Sequence, residues 1–469
     1  MSKNYLSMER SIVRIDASET GRPLEVRRQG IGIGGVSSEP LPERVAEAIG
    51  RLKPRLVRVF LQEYFDVYPD HGVFDWSRLD PYMDRIAEMG CKVLATVNLK
   101  PPVLFPEPGH DHWMPNNPEE YQEVIRALVR RYSLEKPIVT HWEHANETDI
   151  GETGGCPFLM TTAEDNHFFY KMLMEPVLEV FPQARVGGPA IANWKSPILK
   201  GFIDLCRENG TPLHFVSWHS YCSDCEDFIR QVTAVRELVE IYPVDGRPEL
   251  MINEMNKGFD FQDMNHPDFH LVSVEEQAHQ PLRAAFLAAN LMGLIDAGLD
   301  WSHYYHAWDC GMHPAEFARF FSPSGVREVM YRHWNEFPLR YGLFSDDSRV
   351  RPQYFVYRLL QQMEGNRTGC VVESDDLHAL ASRREGQVAV LLSHYGKGAD
   401  TDRLAILRFS ELVPGRKRLT VFRIDEERRW DENTLELIPV ESRRIDTLQE
   451  YHCQCYCPVN SVVAVFLED

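Results

Sequence analysis

Residues 77–97, Ser-Arg-Leu-Asp-Pro-Tyr-Met-Asp-Arg-Ile-Ala-Glu-Met-Gly-Cys-Lys-Val-Leu-Ala-Thr-Val, hold a complete helix-to-strand unit. Leu79, Tyr82, Met83 and Ile86 recur at helical spacing, Gly90 supplies a stop residue tolerant of positive φ, and an apolar run starts at Lys92. A helix that ends on glycine and feeds straight into a strand is half of a βαβ unit. The same alternation runs from about residue 30 to 365. Strands are expected at Gly30 to Gly35, Leu56 to Leu61, Lys92 to Val97, Ile138 to His144, Arg185 to Gly188, His214 to His219, Glu249 to Asn253 and Trp301 to His306. Eight of them match a (β/α)8 TIM barrel, an α/β fold that places its chemistry at the C-terminal ends of its strands. Between the third and fourth, Asn117 caps a helix with Pro118 first and Glu120 closing a capping box, and Tyr121, Val124, Ile125 and Leu128 share one face.

Beyond the helix that carries Tyr354, Tyr357, Leu359 and Leu360 the pattern changes to short alternating strands. They are Leu377 to Ser382, Gln387 to Ser393, Leu404 to Phe409, Arg418 to Ile424 and Ser461 to Leu467, which read as a smaller antiparallel β-sandwich. The expected domains are therefore a catalytic barrel over residues 17–365 and a sandwich over 366–469, the latter joined by the N-terminal strand within residues 1–16.

The chain has 469 residues, 43% hydrophobic, with 70 acidic against 50 basic side chains and a formal charge of −20. Such a surface repels phosphate backbones and anionic lipid, so nucleic acid and membranes are not expected partners, whereas a neutral ligand meets no penalty. No signal-like segment or span of about 20 apolar residues is visible, which predicts a cytoplasmic protein. Ten cysteines in so long a chain are too dilute for a disulfide scaffold. Long loops on an acidic barrel are compatible with a homo-oligomer.

His141-Trp142-Glu143-His144-Ala145-Asn146-Glu147 ends the fourth strand, and Met251-Ile252-Asn253-Glu254 ends the seventh. Those strands face each other across a barrel, so Glu147 and Glu254 converge on the axis from opposite sides. Two facing carboxylates are what glycosidic bond cleavage needs, one to protonate the leaving oxygen and one to attack or to activate water. Either glutamate alone would read as a solvated loop residue.

Adding Arg58 in strand two, Asn146 before Glu147, His219 and Tyr221 at strand six, and Trp308 after strand eight, the set resembles glycoside hydrolase clan A. Within the clan it is most similar to family 39, the family of β-xylosidases and α-L-iduronidases. The stretches that carry the likeness are Val73-Phe74-Asp75-Trp76-Ser77-Arg78-Leu79-Asp80, Gly90-Cys91-Lys92-Val93, Val186-Gly187-Gly188-Pro189 and Phe215-Val216-Ser217-Trp218-His219-Ser220-Tyr221. The resemblance implies that Glu147 is the acid/base, Glu254 the nucleophile and Asn146 a partner of the sugar 2-hydroxyl. It also implies carboxyls about 5 Å apart and retention of configuration. Arg58 and Tyr221 read as donors that keep Glu254 ionised, with a barrel-bracing ion pair as the other reading of Arg58. His219, Trp218, Trp308 and Asp309 join the substrate-binding set. Core packing is the alternative for the tryptophans, and Trp308 is the preferred sugar platform.

The chain departs from the family pattern at Ala145, where a tryptophan is usual, at Thr148, where a proline is usual, and after Trp308-Asp309, where Cys310, Gly311, Met312 and His313 replace an acidic cluster. Cys156, Cys222, Cys225 and Cys310 all fall on the catalytic face and could together make a structural zinc site, against the plainer reading of buried thiols. Cys453, Cys455 and Cys457 alternate on one strand face and read as packing. The expectation is a cofactor-independent, metal-free, retaining exo-glycosidase of short oligosaccharides, first of all a β-xylosidase. The same mechanism on an α-L-arabinoside, α-L-iduronide or β-galactoside, or a non-catalytic carbohydrate-binding barrel, are the other readings.

Overall fold

An N-terminal strand, β1 (Glu9–Asp16), precedes eight parallel strands: β2 (Gln29–Ile33), β3 (Leu56–Gln62), β4 (Lys92–Asn98), β5 (Val139–His144), β6 (Arg185–Ile191), β7 (Phe215–Cys222), β8 (Glu249–Lys257) and β9 (Trp301–Tyr304). Each pairs with the next, and β9 returns to β2, so the sheet closes into a barrel. This computed structural model describes residues 8–258, 280–310, 313–327, 341–396 and 399–469.

Helices α1 (Glu43–Leu52), α2 (Leu79–Ala87), α3 (Pro118–Val129), α4 (Ala163–Val180), α5 (Pro197–Glu208) and α6 (Cys225–Val239) surround the barrel, followed by α7 (Pro281–Ala297) and α8 (Pro352–Gln362). The expected start of α3 is present: the Asn117 side chain accepts from the Glu120 amide at 3.2 Å with Pro118 in first position. Its capping box closes differently from expectation. The Glu120 carboxylate takes the Tyr68 hydroxyl at 2.6 Å, a ring nitrogen of His71 at 2.7 Å and the Asn117 amide at 2.9 Å, tying the loop after β3 to the helix. Gly90 adopts φ +72°, as its role beyond the end of α2 requires.

Strand alternation sends one set of side chains inward. Leu56, Leu94, Phe215, Met251 and Trp301 form an apolar plug at the base of the barrel. The next inward positions, Arg58, Thr96, Ser217 and His303, are polar and buried, so a charged and hydrogen-bonding layer lies above the plug.

The C-terminal region is antiparallel apart from one pairing. Strands β10 (Asn366–Arg367), β11 (Gly369–Val372), β12 (Leu377–Arg384), β13 (Gln387–His394), β14 (Arg403–Ser410) and β15 (Gly415–Ile424) come first. A small hairpin, β16 (Trp430–Asp431) and β17 (Glu436–Leu437), is followed by β18 (Glu441–Thr447), β19 (Tyr451–Cys457) and β20 (Ser461–Glu468). One sheet runs β11-β1-β14-β19 and the other β10-β12-β13-β20-β15-β18. Strand β1 pairs parallel with β14 and antiparallel with β11. Short strands such as β11, and β18 with its three consecutive exposed positions, carry no clear alternation and escape a periodicity reading.

Cys455 and Cys457 are buried between the two sheets, with Cys453 packed at the edge of the same cluster. Helix α7 is buried nearly all round because it lies against the barrel and the inner sheet at once; Ser393 donates to its Ala285 carbonyl at 2.7 Å. The barrel core is thereby continuous with Leu391, Ala464 and Phe466 of the sandwich. Among the described residues no helix is long and apolar enough to cross a membrane.

Candidate active site

Strand β5 ends at His144, and the next residues turn sharply: Ala145 has φ 44° and Glu147 φ 43°, both left-handed. Non-glycine residues held there cost on the order of 1–3 kcal/mol each and persist only where surrounding contacts over-determine them. Here the Glu147 amide donates to the Ala190 carbonyl at 2.8 Å, which locks the turn against β6. The turn aims Asn146 and Glu147 into the mouth, facing Glu254 on β8.

Arg58 is fully buried and organises that mouth. Its Nη1 donates to Glu254 Oε2 at 2.7 Å, its Nη2 to Asn146 Oδ1 at 2.7 Å and its Nε to Glu143 Oε2 at 2.9 Å. Both readings of Arg58 thus hold at once: it is a donor to Glu254 and part of a buried ion network. The other oxygen of Glu254 accepts from the Tyr221 hydroxyl at 2.5 Å. Both oxygens of Glu254 are thus held by strong donors, one of them charged.

Glu143 was not singled out from sequence. It is completely buried and accepts from Arg58, from Thr96 Oγ1 at 2.6 Å, from Ser217 Oγ at 2.7 Å and from Asn253 Nδ2 at 2.6 Å. Every lone-pair direction has a partner, so its charge anchors Arg58 from below. The available signal was parity: Glu143 stands in phase with His141, whose ring contacts the inward-facing Phe215 and Trp301, while Trp142 and His144 face the helices.

Glu147 meets the opposite environment. Burial pushes its carboxyl up to about 8, the negative charge of Asp149 adds to the rise, and Arg58 opposes it. His219 Nδ1 lies 2.6 Å from Glu147 Oε1. Burial brings the imidazole down to about 4 despite the charge of Glu254, so it is neutral near pH 7. The contact between Nδ1 and Oε1 fixes the orientation of the Glu147 carboxyl. The two glutamates thus stand in unlike surroundings, one raised by burial and the other bound by a guanidinium and a phenol.

The loop after Glu147 returns beneath it. Asn146 Nδ2 donates to the Gly154 carbonyl and Gln62 Nε2 to the Gly155 carbonyl, each at 3.0 Å. A Cβ on Gly154 would stand 1.9 Å from Glu147 Oε2, so only glycine fits. Gly154→Ala is expected to push the carboxyl out of line and to lower kcat/KM by about 100-fold. Steady-state kinetics beside a thermal melt checks this; wild-type kinetics would show that the contact yields without consequence.

A cavity of about 520 Å³ opens above these groups, with Asn146, Glu147, His219, Tyr221 and Glu254 in its wall. Its aromatic lining comes from Phe60, Tyr221, Tyr305, Tyr341 and Trp194. Phe60 lies in phase with Arg58 on β3, and the Arg58 guanidinium sits 4.4 Å from its ring centroid. Phe60, Tyr305 and Tyr341 form a buried cluster to which Tyr221 adds.

A family model described as glycosyl hydrolases family 39 matches residues 52–392, which is most of the chain. The chain belongs to glycosyl hydrolases family 39. As a family 39 member it is a glycosidase with a sugar substrate. A β-xylosidase of Caldicellulosiruptor saccharolyticus is 22% identical over 395 residues, spanning 76% of this chain and 72% of that protein. A family 39 enzyme of Xanthomonas axonopodis pv. citri superposes with a TM-score of 0.73 at 17% identity, over 100% of this chain and 99% of that one. A monomeric β-xylosidase of Caulobacter crescentus gives 0.71 at 17% identity, over 97% and 99% of the two chains.

Three expected binding residues of this family 39 chain lie elsewhere. Trp218 is fully buried and faces outward, where its indole N–H donates to Gln231 of α6 at 3.1 Å. Alternation explains it, since Ser217, His219 and Tyr221 point inward on the same strand. Trp308 is outside the cavity wall: its indole N–H donates to the Asp346 carbonyl at 3.3 Å, and it bridges to Phe344. Asp309 is buried in an ion pair with Arg351 at 2.6 Å and lies 3.3 Å from His306. Burial pushes its carboxyl up, but Arg351 and His306 outweigh it and hold it down at about 2.

The four loop thiols do not converge either. Cys222 Sγ pairs with Ser220 and Gln231, Cys225 Sγ with the Phe286 carbonyl, and Cys156 and Cys310 are each pushed up to about 12 by burial in separate surroundings. Among the described residues, the group of three metal-ligating side chains that does converge is Glu147, His219 and Glu254, within 4.8 Å of one another. Arg58, 2.7 Å from Glu254, already places a positive charge there, which opposes a second cation. Gly311 and Met312 lie outside the described residues.

Proposed function

We propose that this family 39 glycosidase is a retaining, exo-acting enzyme that removes terminal sugars from short oligosaccharides by double displacement, with a β-xyloside as its first substrate class. The observation that carries this reading is the proximity of unlike carboxyls: ligand oxygens of Glu147 and Glu254 lie within 4.8 Å, the first pushed up by burial and the second held by Arg58 and Tyr221. Retaining glycosidases space their carboxyls about 5–5.5 Å apart, whereas inverting ones leave room for a water.

In the first step Glu254 attacks the anomeric carbon while the Glu147 proton passes to the glycosidic oxygen. The carbon–oxygen bond breaks, the alcohol departs and the sugar is esterified to Glu254. In the second step Glu147, now a carboxylate, takes a proton from water as the hydroxide adds to the anomeric carbon, and Glu254 is released as a carboxylate. In this reading Asn146 meets the sugar 2-hydroxyl, and its hydrogen bonds to Arg58 and Gly154, which fix its side chain, support that role. The β-xylosidase similarity supports the choice of sugar. For the organisation of the chain we propose a barrel over residues 17–365 and a sandwich over 366–469 completed by the N-terminal strand; the pairing of β1 with β11 and β14 supports it, and residues 1–7 lie outside the described residues.

The test is to trap the intermediate with a 2-deoxy-2-fluoro-β-xylosyl fluoride and to map the labelled peptide by mass spectrometry, with NMR of the first-formed product. Label on Glu254 and a β-configured product are expected. Label elsewhere, or an inverted product, overturns the mechanism, while silence on xylosides with turnover of an α-L-arabinoside, α-L-iduronide or β-galactoside changes the sugar alone. The acid step also sets a pH limb. Glu147 must carry its proton, so kcat/KM is expected to fall as pH rises through about 8, and Glu147→Gln should abolish that limb. A limb unaltered by Glu147→Gln assigns it to another group.

A further inference from the structure

The cavity wall divides by strand. Tyr305 follows β9, which pairs with the strand that bears Glu254 and lies opposite β5, and Phe60 from β3 packs edge-on against it. Ile150, Ala192 and Trp194 follow β5 and β6, on the side of Glu147. An acid hands its proton to the leaving oxygen, so the leaving group must lie on the acid's side of the bond being broken.

That side is built as one piece with the acid. The two carboxylate oxygens of Asp149, two residues past Glu147, accept from the backbone amides of Ala192 and Asn193, each at 3.0 Å. Asn193 in turn accepts from the Lys195 amide at 3.1 Å, and the Glu147 amide is bound to the Ala190 carbonyl at 2.8 Å. Trp194 is thus tied to the turn that carries Glu147. Its indole packs partly on the barrel core, carries Lys195 Nζ at 5.3 Å from the ring centroid and lines the cavity. With Ile150 and Ala192 it makes an apolar shelf, and the Asp149 charge beneath is already taken up by two amides.

We propose that Trp194, fixed by the Asp149 clamp, is the platform of a leaving-group subsite for an uncharged ring with a flat apolar face, joined through the glycosidic oxygen. A second neutral pyranose and a phenolic ring share that chemistry, because each offers an apolar face to an indole. Asp149 acts as a positioning residue: it sets the height of the shelf relative to the proton donor. The inference rests on the reading of Glu147 as the acid.

The test compares wild type, Trp194→Ala, Trp194→Phe and Asp149→Asn on xylobiose, phenyl β-xyloside and β-xylosyl fluoride, whose leaving group has no ring. For Trp194→Ala the ratio of kcat/KM on a ring-bearing substrate to that on the fluoride should fall about tenfold, the scale of one aromatic contact. Trp194→Phe should restore most of it. A fall confined to xylobiose assigns the shelf to a sugar, and one confined to the phenyl glycoside assigns it to an aromatic aglycone. Asp149→Asn should lower the same ratio and also move the basic limb of kcat/KM to lower pH. Around Glu147 the other titratable or charged groups are Arg58, Cys156, His219, Glu254 and Tyr305, all retained in that variant. Equal losses on all three substrates, or none on either ring-bearing one, would overturn the subsite while leaving the mechanism intact. Turnover of an α-L-arabinosyl, α-L-iduronyl or β-galactosyl fluoride in place of the xylosyl one moves the same ring-to-fluoride comparison to that sugar, whereas failure of the wild type on all four would remove the reading of Glu254 and Glu147 as a catalytic pair, and this inference with it.

Discussion

Glu254→Ala and Glu147→Ala are each expected to lose activity on an aryl xyloside with a poor leaving group, by about 10⁴-fold or more for Glu254, and on an activated aryl xyloside azide should rescue the two in opposite configurations. The reason is the different supply of charge to the two carboxyls. Without Glu254 no nucleophile stands below the anomeric carbon, but its removal leaves a hole beside Arg58 into which azide fits. A single displacement by azide inverts the product. Without Glu147 the first step lacks its proton, a loss that an activated leaving group offsets, and the glycosyl intermediate on Glu254 then waits for a general base. Azide needs none and attacks it with overall retention. Chiral analysis of the glycosyl azides reads both outcomes. Full activity in Glu254→Ala would sink the mechanism, and retention in Glu254→Ala with inversion in Glu147→Ala would exchange the assigned roles.

The second large effect concerns Arg58. Replacement by Met is expected to destabilise the barrel by about 3–5 kcal/mol, because it strands Glu143 and Glu254 as buried carboxylates that had shared one guanidinium. Activity should fall with it, since Glu254 loses its charged donor and Asn146 its anchor. Arg58→Lys separates the two consequences. A single ammonium restores the charge, so much of the stability should return, but it cannot hold Glu143, Asn146 and Glu254 with the geometry of a planar fork, so kcat/KM should stay low. Urea midpoints set beside kinetics decide it; wild-type stability in Arg58→Met would mean that the network is dispensable.

The expected residues that the structure brings together at the mouth share one property: they sit at or near strand ends and are aimed by the strand that carries them. Glu147, Asn146, Glu254 and Tyr221 reach the axis because parallel strands in a closed barrel end on one face. Arg58 does so because an inward position one turn of the pleat below the mouth is still within reach of it. The errors also have one origin. Trp218 was read by its position along the chain rather than by its parity, although Tyr221 and His219 on the same strand already committed it to the helix side. Trp308 and Asp309 follow the short strand β9, past the point where alternation binds, and their partners Asp346 and Arg351 lie in a distant segment. The cysteines were grouped by loop, and loops that share a face need not share a point.

The alternation of apolar periods by itself determined the barrel, the sandwich order and the pair of opposed glutamates, because side-chain periodicity and strand count are local properties that closure converts into geometry. Only the tertiary structure decided that burial raises Glu147, that Glu143 braces Arg58 from below, that Gly154 leaves room for Glu147, and that Trp194 is tied to the turn that carries Glu147. Each of these depends on distances between segments far apart in the chain, and on the burial those segments jointly create. No single stretch of residues encodes either quantity.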